Sequence, residues 1–326
     1  MDEEIGIRDI EDICKKYSVR IKQIEAVKSG SSNRNYVIKG ESGNYILKCM
    51  PKDCFPPDFA GFQQYLSEIL IENEIPFTPN LTVNENYVYE DESHYWQMRP
   101  FISGISEMDM DDHDQIALSA KTLALIHRIK TQSEDKRVFV FSKYREKTKE
   151  KLEELFTVIS SYLGNDEAKE MTSLYEKILN MNEVIKLSDY SFSSGIIHGD
   201  YHAGNIFFKH HDLVQIIDWD TAEINPKIFD FAKSIYLLTR VGHGYFENDL
   251  KKLRIFYKNY IDEIELSKEE LLAVPFVVMV NYIPETDYIK TFTDEKKILW
   301  YLRWTYDAAL SAGNQFYDKY MRIIYE

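Results

Sequence analysis

The feature that most constrains this chain is a change of pattern near residue 100. Before it, short runs rich in β-branched and aromatic residues alternate with turn residues: 35–39 (NYVIK), 44–49 (NYILKC), 86–91 (NYVYED) and 94–101 (HYWQMRPF). The pieces at 40–44 and 84–87 carry the Gly, Ser and Asn of hairpin connectors. One helix interrupts the strands over 58–73, bounded by Phe55-Pro56-Pro57 and by Ile75-Pro76. After residue 104 the apolar period becomes helical. The segments 112–130, 143–162, 166–184, 228–241, 245–263, 267–281 and 293–324 read as helices, with stripes such as Ile116, Leu123 and His127, or Leu152, Leu155, Phe156 and Ile159. A small β region at 195–200, 205–209 and 213–220 breaks this run. The expectation is an α+β chain with a β-rich N-terminal lobe, a linker near 99–106 and a mainly helical C-terminal lobe. A cleft between unlike lobes is where a ligand is expected.

Composition narrows the function classes. A chain of 326 residues is long enough for about two domains. No apolar run approaches the roughly 18 residues that span a bilayer, and the acidic start MDEEIGIRDIEDI lacks the pattern of a secretory signal. Three cysteines, Cys14, Cys49 and Cys54, form no C-x-x-C pair, which speaks against a disulfide framework or a zinc-thiolate site. A reducing, cytoplasmic setting is expected. The formal charge of −15 argues against nucleic acid as a partner. It is read first as solubility and second as suited to a small cationic acceptor.

The chemistry concentrates in His198-Gly199-Asp200-Tyr201-His202-Ala203-Gly204-Asn205, followed by Ile216-Ile217-Asp218-Trp219-Asp220. Asp200 and Asp218 each end an apolar strand-like run, and Asn205 follows a small Ala203-Gly204 pair. Two carboxylates and an amide oxygen, delivered by two strand ends, are the groups a phosphoryl transferase needs to orient a hydroxyl and to hold Mg²⁺. The same residues allow a second reading. His198, Asp200 and His202 alternate as H-x-D-x-H, so on a strand they would face one side as ligands of zinc or iron, with His210, His211 and Asp218 in reserve. That reading is a metal-dependent hydrolase.

H-G-D-x-x-x-x-N followed by I-D-W-D resembles the aminoglycoside phosphotransferase and choline kinase superfamily, a branch of the protein-kinase-like fold. The resemblance implies a two-lobe fold, with residues 1–101 as nucleotide-binding lobe and 102–326 as the lobe with catalytic loop and substrate site. It implies Asp200 as catalytic base, Asn205 and Asp218 as magnesium ligands, and ATP or GTP as phosphate donor. His198-Gly199 in place of the protein-kinase H-R favours a small-molecule acceptor over a protein. More weakly, Ser29–Tyr36 resembles the phosphate-covering loop, with Ser31, Ser32 and Asn33 as contacts, and Lys48 resembles the phosphate-binding lysine. Arg99 and Phe101 fall in a segment that resembles the hinge, whose backbone would face the nucleotide base. Asp220 is read as structural or auxiliary.

The family's glutamate partner for the lysine has no clear counterpart. Its place falls near Gln63 or Gln64, with Glu68 and Glu72 further along. His127 reads as a packing histidine, and the helically spaced Trp300, Tyr301, Trp304 and Tyr306 read as core. The resemblance leaves the acceptor open among aminoglycosides, choline or ethanolamine and similar amino alcohols, homoserine, methylthioribose and amino sugars. For a cationic one, Glu223 and Asp230 are candidate ligands, although Asp230 also reads as a structural residue at a helix start. A non-catalytic member of the same fold, a binding or spore-coat-like structural protein, is the alternative.

Overall fold

Alternation over 34–51 folds as a hairpin. β2 (Arg34–Gly40) and β3 (Asn44–Pro51) pair antiparallel, with Tyr36 opposite Leu47 and Asn35 opposite Lys48. β1 (Ile21–Val27) joins β2, β5 (His94–Pro100) joins β3, and the short β4 (Tyr89–Glu90) closes the order β1-β2-β3-β5-β4. The computed structural model describes residues 5–27, 33–131, 149–185, 192–292 and 294–326. The chain divides into two compact units, one of Met1–Ser106 with Phe207–Asp220, the other of Glu107–Ile206 with Thr221–Glu326. The first unit thus includes, besides the N-terminal sheet, the segment that follows Ile206.

In the first unit, period two places successive residues of β3 on opposite faces. Leu47 and Cys49 pack with Ile10, Ile13 and Cys14, the apolar stripe of α1 (Ile7–Lys16). This helix has the i, i+3, i+4 spacing of an amphipathic segment, although the acidic residues around it obscured that pattern. Lys48 and Met50 take the other face, where Met50 packs with Phe59 of α2 (Phe59–Glu72). The expected strand 86–91 is cut short. Asn86 bridges back to Val83 through Asn84 and Glu85, both at positive φ (50° and 70°), and only Tyr89–Glu90 reaches β5. Between the units' strands the chain carries a two-residue strand β6 (Ser106–Glu107).

The second unit is helical. α3 (His113–Arg128) packs on α7 (Leu250–Ile261), and α6 (Lys227–Leu238) packs on α8 (Lys268–Asn281), which is buried almost continuously from Ala273 to Val280. α4 (Lys149–Leu163) and α5 (Asn165–Ile185) pack on each other. Two strands, β7 (Ser194–Ile197) and β10 (Glu223–Pro226), pair antiparallel, and the loop 198–205 follows β7. The expected helix 293–324 is α10 (Glu295–Ser311) and α11 (Tyr317–Tyr325), joined through a π-turn at Ala312–Phe316. The short α9 (Thr286–Lys290) precedes them. Among the described residues no helix is long and apolar enough to cross a membrane.

Candidate active site

The sites expected from sequence fall in both units. In the first, β8 (Ile206–Lys209) and β9 (Asp212–Ile216) form a hairpin tied to the unit by a 2.7 Å bond from the Ile216 N–H to the Pro76 carbonyl and by Trp219 packed edge-on against Phe77. The chain beyond β9 carries Asp218 at φ 67°, a left-handed conformation that is strained for a residue with a Cβ. Its carboxylate meets Lys48 Nζ at 2.5 Å, and Asp220 approaches the same ammonium even more closely. Lys48 is buried because its face of β3 is covered, and its charge is compensated by these two acids. Asp218 stays 43% exposed whereas Asp220 is 8% exposed, so one carboxylate faces outward and the other anchors. Burial pushes the Asp220 carboxyl up, while Lys48 and Arg99 draw it down. Asn33 Nδ2 donates to Asp220 at 2.7 Å.

No acid of α2 pairs with Lys48. The residue facing the site from that helix is Gln63, which donates to the Trp219 carbonyl at 2.9 Å and accepts from Gln97 at 3.3 Å. The lysine's partners are thus the acids of I-D-W-D, and Asp220 has a larger part than its sequence reading gave it. Arg99, on β5 opposite Ile46, lines the same pocket as Lys48, Asp218 and Asp220 and feels both carboxylates. The Phe101 N–H is already bonded to the Asn44 carbonyl at 2.9 Å, which leaves its carbonyl, not its N–H, for a ligand. Ser31 and Ser32 lie outside the described residues.

In the second unit, β7 ends at Ile197 and the loop 198–205 that follows is held by α6. Asp230, in the first turn of that helix and 1% exposed, accepts the His198 N–H at 2.7 Å and the Gly199 N–H at 3.0 Å. His127 Nε2 lies 3.3 Å from the same carboxylate, and its Nδ1 lies 2.6 Å from the Tyr260 hydroxyl. Burial pushes the imidazole's pKa down, so His127 is neutral: Nε2–H donates to Asp230 and Nδ1 accepts from Tyr260. Burial works to raise the Asp230 carboxyl, but the His127 bond and the backbone amides hold it below the ordinary range. Gly199 sits at φ 79°, and a Cβ there would come 2.5 Å from the Thr221 carbonyl oxygen, so only glycine makes this turn.

The loop then presents Asp200. Its Oδ1 accepts from Lys233 Nζ at 2.7 Å, and the same ammonium donates to the Gly199 carbonyl at 2.9 Å. Asn205 Nδ2 donates to the Asp200 carbonyl at 2.9 Å, and His202 Nε2 lies 3.3 Å from Oδ2. Burial opposes ionisation of Asp200, but His202 and Lys233 together hold its carboxyl well below the usual carboxylate range. H-x-D-x-H is not a metal-binding strand. His198 is fully buried and accepts the Asp200 N–H on Nδ1, Gly199 turns the chain, and His202 accepts the Gly204 N–H. Among the described residues no group of three His, Cys, Asp or Glu is arranged to hold a metal.

Asp200 opens on a cavity of about 350 Å³, also lined by His202, Lys233, Arg240, Tyr282, Tyr301 and Trp304. Tyr301 and Trp304 therefore line a pocket in addition to packing the helix. Glu223 and Asp230 do not line it: Glu223 accepts from Asn225, and Asp230 is committed to the loop amides. Lys233 carried no motif signal. Its only sequence cue is one helical turn of separation from Asp230, which matters only once Asp230 is known to pin the loop.

Residues 23–256 match the family described as APH, phosphotransferase enzyme family. A spectinomycin phosphotransferase solved with ADP and spectinomycin is similar over 97% of this chain and 100% of its own, at TM-score 0.74 and 16% identity. An amicoumacin kinase solved with AMP-PNP, Ca²⁺ and Ami is similar over 92% of this chain and 93% of its own, at TM-score 0.64 and 16% identity. A microcompartment-associated aminopropanol kinase covers 97% and 100%, at TM-score 0.66 and 12% identity. At these identities the likeness is one of fold, and that fold is the kinase-like α+β architecture. No curated protein matches the chain.

Proposed function

Since the chain belongs to the phosphotransferase enzyme family, we propose that it moves the γ-phosphoryl group of ATP or GTP onto a hydroxyl of a small acceptor. The observation that carries this reading is Asp200, an ionised carboxylate oriented by Lys233 and Asn205 at the mouth of a cavity. The acceptor oxygen attacks the γ-phosphorus as the bond to the β,γ-bridging oxygen breaks. A nucleoside diphosphate leaves, and the hydroxyl proton passes to Asp200. The transition state is loose, so orienting the hydroxyl matters more than base strength. That suits a carboxylate whose protonation is strongly disfavoured.

Lys48 is assigned to the nucleotide phosphates, with Asn33 and the carbonyl side of the Arg99–Phe101 segment as further nucleotide contacts. Magnesium is assigned to Asp218 and Asn205. Each donor suits a hard cation: Asp218 offers an exposed carboxylate oxygen, and Asn205 has committed its amide nitrogen to Asp200, which leaves Oδ1 as the ligand atom. The ion's contribution is to neutralise charge on the phosphates. The solved kinases with bound nucleotide support this assignment by likeness of fold.

A coupled nucleotide-turnover screen over hydroxyl-bearing metabolites and antibiotics tests the reading. Asp200→Asn is expected to lower kcat by about 10²–10⁴ with magnesium-nucleotide affinity nearly intact. Equal turnover in the variant removes the base assignment. Absence of magnesium-dependent nucleotide binding in the parent protein supports the non-catalytic alternative.

A further inference from the structure

We infer that the acceptor carries an anionic group, a carboxylate or a phosphate, and that Arg240 binds it. The inference deepens the phosphotransferase reading, and rests on it for which hydroxyl reacts. Arg240 lies two residues beyond α6, 7% exposed, and lines the cavity that Asp200 opens on. Its guanidinium sits 4.7 Å over the Tyr236 ring and 5.0 Å over the Phe246 ring, and Nη2 reaches the Tyr282 hydroxyl at 3.4 Å. Nε is buried without a hydrogen-bond partner, and no carboxylate pairs with the group among the described residues.

The buried lysines among the described residues are compensated: Lys48 by Asp218 and Asp220, Lys252 by Asp111. A buried cation without its counter-charge is costly, and two aromatic faces replace a carboxylate only in part. The rings instead hold the planar fork in one orientation, as a preformed receptor for an oxyanion.

The rest of the lining agrees. Among the described residues Asp200 is its one carboxylate, and it is already paired with Lys233. A polycationic acceptor would bring ammonium groups beside Arg240 and Lys233 with no free acid to receive them. The charged side chains of the described lining, Lys233 and Arg240 against Asp200, leave one net positive charge where the whole sequence carries −15, so the cationic acceptor suggested by composition does not suit this cavity. Tyr282, Tyr301 and Trp304 suit a flat or apolar body between the anion and the reacting hydroxyl.

A matched series decides it by calorimetry with the full chain: 4-(hydroxymethyl)benzoate, its neutral amide, the cationic 4-(hydroxymethyl)benzylamine, and 4-(hydroxymethyl)phenyl phosphate. The benzoate or the phosphate is expected to bind at least tenfold tighter than the amide, with the amine weakest, and the better of the two identifies the anion. Arg240→Gln should collapse the discrimination, and Arg240→Lys should restore part of it. If the glutamine variant fails to fold, the charge order in the parent protein still decides. Tighter binding of the amine, discrimination that survives Arg240→Gln, or no binding of any probe at millimolar concentration overturns the inference. Magnesium-nucleotide binding is measured on the same sample. Its absence defeats the phosphotransferase reading alone, while charge discrimination by the cavity continues to decide this one.

Discussion

Asp230→Asn isolates the contact that shapes the loop carrying Asp200. The carboxylate takes two backbone amides, from His198 and Gly199, and the Nε2–H of His127, all within a buried pocket. Asparagine keeps one oxygen and replaces the other with a donor. With its oxygen toward His198, the new NH₂ opposes the Gly199 N–H, and that buried amide loses its acceptor at a cost of about 1–3 kcal/mol. The retained bonds fall from charged to neutral acceptor, a further loss of about 1 kcal/mol. The sum is about 3 kcal/mol of stability, read as the difference between parent and variant in urea unfolding. Hydrogen exchange should rise in peptides covering 194–206. The pH dependence has a definite sign. Asp230 is held below its ordinary 3.8 in the fold, so its contribution is complete above that value and is lost as pH falls through the folded pKa. The difference between the proteins should persist from pH 7 downward and shrink only below 3.8. A loss under about 0.5 kcal/mol, or a difference that disappears near neutral pH, would refute the reasoning.

Two further substitutions test neighbouring steps. Lys233→Met removes the cation that holds one oxygen of Asp200, so kcat is expected to fall by about tenfold or more with magnesium-nucleotide affinity nearly unchanged; an unchanged kcat would show that Lys233 does not position that carboxylate. Gly199→Ala forces a side chain into the left-handed region, at about 1–2 kcal/mol, and against the Thr221 carbonyl oxygen besides; a melting temperature within a degree of the parent's would contradict the fit at that turn.

The legible parts of the site were those whose chemistry is tied to local spacing. H-G-D-x-x-x-x-N and I-D-W-D put a carboxylate at each strand end, and the resemblance marked Lys48 on its strand. The illegible parts are contacts made over long separations. Lys48 finds Asp220 across 172 positions rather than an acid on α2. Lys233 finds Asp200 across a loop that Asp230 has first folded back.

Composition, periodicity and one motif were enough to specify a sheet-bearing first part, a helical second part and the class of chemistry. Each of these depends on residues close in the chain, where backbone geometry alone brings them together. The identity of the lysine's partners, the pinning of the loop by Asp230 and the excess of cationic over acidic side chains in the described lining of one cavity, in a chain of net charge −15, depend on which distant side chains share a buried volume. Burial sets the strength and sign of those interactions, and burial is a property of the folded molecule.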